Sequence, residues 1–163
     1  MERSERGPRI IDMAERKLVG MRMTMSLAEH RVGELWRRFM PRRKEVTNAL
    51  GNDRISVAIY GSDFFADLQP MRTFERWATV EVPDFANVPA GMETLIVHGG
   101  RYAAFHYRGP STDNSIFRHI HGTWLPGSAY ALDDRPHFEV LGDRYRNNDP
   151  TSEEEIWIPI RPK

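Results

Sequence analysis

The chain has no cysteine among its 163 residues, which excludes disulfides, thiolate nucleophiles and thiolate metal sites together. It has no excess of either charge. Lys plus Arg and Asp plus Glu are 23 each, so no global field favours nucleic acid. No stretch approaches the roughly 18 uninterrupted apolar residues of a membrane span, and the start "MERSERGPRII" lacks the apolar segment of a signal peptide. Cytoplasmic residence, without membrane association, is the resulting expectation. G-x-S-x-G, P-loop and dinucleotide patterns are missing too, and Ser128 in "PGSAY" reads as a turn residue rather than a nucleophile. Of the six histidines, His119 and His121 stand two apart on a helix-forming stretch, where they do not face each other. No carboxylate completes a metal-ligand spacing around them, so neither metal nor cofactor is expected.

What is present is globular composition, with 40% apolar and 28% charged residues and no repetitive tract. The length suits one domain, or two small lobes sharing a core. "MSLAEHRVGELWRRFMP" offers Ser26 as an N-cap, Val32, Leu35, Trp36 and Phe39 at helical spacing, and Pro41 as a stop. "KLVGMRMTM" alternates weakly before it. Alternation predicts strands in "DRISVAIYG", with Ile55, Val57 and Ile59 on one face, and in "FERWATVEVP". Residues 83–93, with two prolines and a glycine, read as a connector. "ETLIVHGGRYAAFHYRG" reads as one long strand bulged at Gly99 and Gly100. "STDNSIFRHIHGTWLP" then gives a second helix capped by Ser111 or Thr112 and stopped at Pro126, and "PHFEVLG" and "EIWIPI" give two more strands.

The order strand, helix, strand, strand thus occurs twice. Ser111 lies 85 positions after Ser26, Pro126 lies 85 after Pro41, and the last strand of each half carries Glu-x-Trp: Glu75 and Trp77, then Glu155 and Trp157. Together these matches predict a pseudo-twofold duplication. The expected class is α+β, a single domain over 1–163 made of lobes at about 9–83 and 93–161, with a ligand cleft between them.

"GGRYAAFHYRG", the helix ending in "WLP", "SAYALDDRPHFEVLG" and the terminal "EEEIWIPI" resemble the GyrI-like small-molecule-binding family, the effector-binding domain of AraC-type and multidrug-responsive regulators. The likeness is most specific over residues 93–160. It implies a tandem strand-helix-strand-strand fold and an aromatic cleft with an acidic residue that meets cationic, lipophilic compounds. By position in the motifs, Glu155 is the acid candidate, and Glu139 in "HFEVLG" also falls at a motif position. The residues ahead of the first strand are too few for a helix-turn-helix unit, so direct binding to nucleic acid is not expected.

Strand alternation puts Ile156, Ile158 and Ile160 on one face and Glu155 with Trp157 on the other. An acid beside a large aromatic can be a solvated surface over a core, or the floor of a pocket. Under the pocket reading, Glu155 or Glu139 supplies the counter-charge, and Trp157, Trp124, Tyr60 and Tyr107 supply faces for stacking and cation–π contact. Drug sensing or sequestration is then the expected function. A hydrolase that opens strained rings of DNA-alkylating compounds through Glu155, and an interaction protein that inhibits a topoisomerase, are the alternatives. The basic run Arg37, Arg38, Arg42, Arg43 and Lys44 sits where a helix ends, which favours cations without any phosphate partner. Met21, Met23 and Met25 alternate and offer a compliant wall to whichever surface they face.

Overall fold

Alternating apolar side chains build most of this molecule into one antiparallel sheet. The computed structural model describes residues 2–3 and 7–163. In chain order the elements are β1 (Glu2–Arg3), β2 (Arg9–Met13), β3 (Arg16–Ser26), α1 (Val32–Phe39), β4 (Arg54–Ile59), β5 (Thr73–Val82), β6 (Glu93–Val97), β7 (Gly100–Arg108), α2 (Ser115–His119), β8 (Tyr130–Leu132), β9 (His137–Leu141) and β10 (Glu153–Pro162). The fold is α+β, as the sequence predicts. The main path across the sheet is β1-β7-β10-β9-β4-β5-β3-β6, with β2 beside β7 and β8 beside the end of β10. From the β4/β9 seam outward the order is symmetric, β4-β5-β3 on one side and β9-β10-β7 on the other. One cross-strand row, Trp77, Val57, Phe138 and Trp157, straddles that seam. In it each tryptophan flanks the seam pair, and Glu75 and Glu155 each lie two residues before their tryptophan.

The two faces bury different things. On the helix side, α1 lays Leu35 and Phe39 over Val19, Ala78 and Val80, with Met21 and Met23 packed beside them. On the same side Ile116 of α2 and Ile120, just beyond its end, cover Phe105, Tyr107, Ile156, Ile158 and Ile160. The opposite face is a second core in which both ends of the sheet meet: Leu18 and Val97 join Tyr102, Ala104, Val57, Trp77, Phe138 and Trp157. The sheet therefore curls, as a strongly twisted sheet of this width does. Among the described residues no helix is long and apolar enough to cross a membrane.

Several local expectations are corrected. The long bulged strand over 93–109 is two strands, β6 against β3 and β7 against β10. Gly99 and Gly100 mark the crossing: a Cβ on Gly99 would lie 2.8 Å from the Met13 carbonyl oxygen, and Gly100 holds φ at +156°. Ser26 is not the cap of α1. It closes the end of β3, where its Oγ accepts a 3.0 Å hydrogen bond from the Glu29 amide, six residues before the helix starts. At α2 neither Ser111 nor Thr112 caps; the Asp113 carboxylate accepts from the Ser115 amide at 2.9 Å. The second helix also continues through a π-helical turn, Ile120–Trp124, into a last turn at Leu125–Gly127.

Candidate functional site

Because α1 stands over β3 and β5 and α2 over β7 and β10, the helix-side face of the β4/β9 seam lies between the helices. Two rows of side chains there follow from the register. Arg76 pairs with Ala58 and Ala58 with His137; Ala78 pairs with Ser56, Ser56 with Glu139 and Glu139 with Ile156. Glu154, two residues before Ile156, is the diagonal neighbour of Glu139 on the same face. It is buried.

The two carboxyls act on each other across β9 and β10, and as facing like charges in a desolvated place they do not both ionise readily. Burial first, and then the facing Glu139 carboxyl, push Glu154 up to about 9. Glu139 keeps some accessible surface, yet desolvation raises it too, with Arg76 opposing. The pair titrates as a unit and retains a proton at neutral pH. The Arg76 guanidinium donates to Ser56 Oγ at 2.8 Å, and its Nε is buried without a hydrogen-bond partner among the described residues.

Aromatic groups wall this polar floor on one side. Tyr60 lies at ring distances of 4.6, 5.0 and 5.2 Å from Phe64, Phe65 and Phe74, and at 5.0 Å from His137. Phe65 stacks on His121 at 4.6 Å and on His137 at 5.5 Å. Burial lowers His121 to about 4 and His137 to about 3, so both imidazoles are neutral at physiological pH. On the other side Tyr145 senses both acids and lies beneath the Arg54 guanidinium, 5.6 Å away.

Of the six residues singled out from sequence, Tyr60 and Glu139 are brought together here and four are not. Glu155 is on the opposite face, where it forms an ion pair with Arg9 and keeps a 37% exposed side chain. Trp157 is buried in the back core, stacked on Phe138 at 5.2 Å with the Arg16 guanidinium 5.1 Å from its ring. Trp124 packs edge-on against Phe105 at 5.2 Å beneath the second helix. Tyr107 is buried, and its hydroxyl donates to the Pro110 carbonyl at 2.8 Å. The alternation that joined Glu155 to Trp157 is correct, but the face they share is the closed core. Glu75 repeats the pattern, pairing with Arg22 at 3.2 Å and accepting from the Trp77 indole. Glu154 went unread although the signal was present, because it continues the buried register of Ile156, Ile158 and Ile160. Arg76, His121, His137 and Phe65 lie on four separate elements and carry no local motif.

The basic run is largely occupied locally: Arg38 pairs with Glu34 at 2.7 Å and Arg42 with Glu45 at 2.8 Å. Two surface depressions lie elsewhere. One, of about 450 Å³, is bordered by Asp12, Arg101, Asp133 and Arg135, and the other, of about 540 Å³, by Met40, Arg43, Lys44 and Val46. In the first the charges already pair, Arg101 with Asp12 at 3.1 Å and Arg135 with Asp133 at 2.8 Å.

Residues 7–161 match the GyrI-like small molecule binding domain. The transcriptional regulator BrlR of Pseudomonas aeruginosa is 30% identical over 154 residues, covering 93% of this chain and 54% of that protein. The chain thus spans about half the length of this curated relative. Among solved structures, SAV2435 bound to tetraphenylphosphonium superposes with a TM-score of 0.73 at 17% identity, over 99% of this chain and 94% of that one. The EcmrR C-terminal domain superposes with a TM-score of 0.70 at 11% identity, over all of both chains.

Proposed function

The chain belongs to the GyrI-like small molecule binding domain family, and from that premise we propose that it binds lipophilic cations on the β4/β9 seam between α1 and α2, for sensing or sequestering such compounds. The carrying observation is geometric: Glu139 and the buried Glu154 face each other across β9 and β10 on the helix-side face, where desolvation favours their protonated forms and a cation can take the place of a proton. Desolvated carboxyls are costly unless neutralised, so a positive ligand replaces a proton rather than a hydration shell. Tyr60 stands beside the pair and supplies a flat apolar wall. The ligand reported with SAV2435, tetraphenylphosphonium, is itself a lipophilic cation.

Calorimetric titration with tetraphenylphosphonium and with neutral tetraphenylmethane-type analogues of the same shape tests the reading. The cation should bind, and the double variant Glu139→Gln, Glu154→Gln should lose most of the preference for it. Equal affinity for cation and neutral analogue in the wild type would refute it.

The same pair favours one second reading. A protonated carboxyl beside an ionised one can donate to one atom and accept from water, the arrangement of general acid and base needed to open a strained ring. Mass analysis of recovered ligand separates the two: unchanged ligand supports binding, hydrolysed ligand supports catalysis.

A further inference from the structure

β4 and β5 are antiparallel neighbours, and two to five residues suffice to join such strands. Here residues 60–72 intervene. The excess length has a consistent use. Phe64 anchors the loop, buried against Met25 and Phe74. Arg72 ties its two arms together, donating to the Asp63 carbonyl at 3.1 Å and the Asp67 carbonyl at 2.9 Å. Between these ties Phe65, only partly buried, reaches across the seam to the other half of the molecule. Its ring lies nearly parallel to His121, at 15°, and to His137, at 24°. Tyr60 closes the group edge-on, at 72° to Phe65. His121 comes from the π-helical turn, an irregularity that recurs at functional sites.

The two imidazoles form a neutral flat surface immediately beside the acid pair, since His137 is two residues from Glu139 on the same face of β9. An apolar loop residue covers that surface. Resting on the function proposed above, we propose that Phe65 is an internal occupant of this surface, displaced on binding, and that the ligand carries a planar aromatic group which takes its place on His121 and His137. The ligand class narrows accordingly from lipophilic cations to aromatic cations. A purely aliphatic ammonium neutralises the acids but cannot replace the lost ring stacking.

Phe65→Ala removes the competitor without touching the acids. Because an occluded site weakens apparent affinity in proportion to the fraction open, this variant should bind tetraphenylphosphonium about fivefold or more tightly than wild type. Phe65→Trp, with a larger stacking face, should bind it several-fold more weakly. His121→Ala should weaken tetraphenylphosphonium while leaving tetrabutylammonium within about twofold. Circular dichroism establishes that each variant is folded. If Phe65→Ala binds equally or more weakly than wild type, Phe65 is a wall and not an occupant, and the proposal is overturned. It is overturned equally if His121→Ala affects both cations alike. Binding that survives in every variant with unchanged affinity leaves the cation site standing and removes only this inference, whereas no binding by wild type or Phe65→Ala removes both.

Discussion

Replacing Glu154 by glutamine should remove the pH-dependent part of cation binding and leave the rest. At pH 7 the Glu154 carboxyl, pushed up to about 9, holds its proton. Releasing it two pH units lower costs about 2.7 kcal/mol, at about 1.36 kcal/mol per unit. A cation about 4 Å away returns roughly 4 kcal/mol at an effective dielectric near 20. The difference, about 1.3 kcal/mol, is close to tenfold in Kd at pH 7. Near pH 9 the release cost almost vanishes, and the preference for a cation over its neutral analogue should reach several hundredfold. In the Glu154→Gln variant Glu139 remains, with Arg76 opposing the effect of its burial, so it should bind cations with modest affinity and a flatter profile between pH 7 and 9 than wild type. Titration calorimetry in two buffers of different ionisation enthalpy counts the protons released. Wild type should release close to one per cation at pH 7.5 and the variant close to none. A wild type that releases no proton, or a variant with the same pH profile, would refute the exchange.

Glu155→Gln should change cation affinity by less than about 0.5 kcal/mol, because its partner Arg9 is exposed and surface ion pairs contribute little; dye titration checks this. Stability should fall as pH rises from about 6.5 to 9. Over that range native Glu154 binds a proton that the unfolded chain, with an ordinary value of 4.5, has lost. Below about 6.5 the trend is opposed, because His121 and His137 stay neutral in the fold while they protonate when unfolded, and their contribution is lost as pH falls towards 4 and 3. Urea unfolding at stepped pH reads both limbs, and Glu154→Gln should flatten the alkaline one. Gly20→Ala should destabilise by about 3 kcal/mol or more, since a Cβ there overlaps the Ala78 carbonyl on the neighbouring strand and neither backbone can yield. Thermal unfolding of the variant tests it.

Much of the fold was legible because strand alternation and helix spacing are local. The strands around Val57, Trp77 and Phe138 and both helices sit where their apolar periods place them. The misread elements depend on distant partners. Gly99 and Gly100 look like a bulge in isolation, and only the approach of Met13 shows that they are a crossing. Strand β8, three residues long, is defined by pairing with Ile160–Pro162 rather than by its own pattern. For the site, alternation assigns side chains to one of two faces but does not say which face holds the cleft. In an ordinary one-sided sheet an acid beside tryptophan marks the wet face. Here the sheet curls and covers that face, so Trp157 is core and Glu155 reaches the rim. The informative anomaly was the reverse one, an acid in step with three buried isoleucines. Phe65 was legible only as an apolar residue in a polar loop, and its partners arrive from α2's continuation and β9.

A crystal structure of the protein with bound tetraphenylphosphonium tests the central claim most directly. The account predicts the phosphorus between α1 and α2, within about 6 Å of a carboxyl oxygen of Glu139 or Glu154, with Tyr60 against a phenyl ring. A ligand seated against Glu155 and Arg9, or in either surface depression, with the Glu139–Glu154 pair untouched, would contradict it.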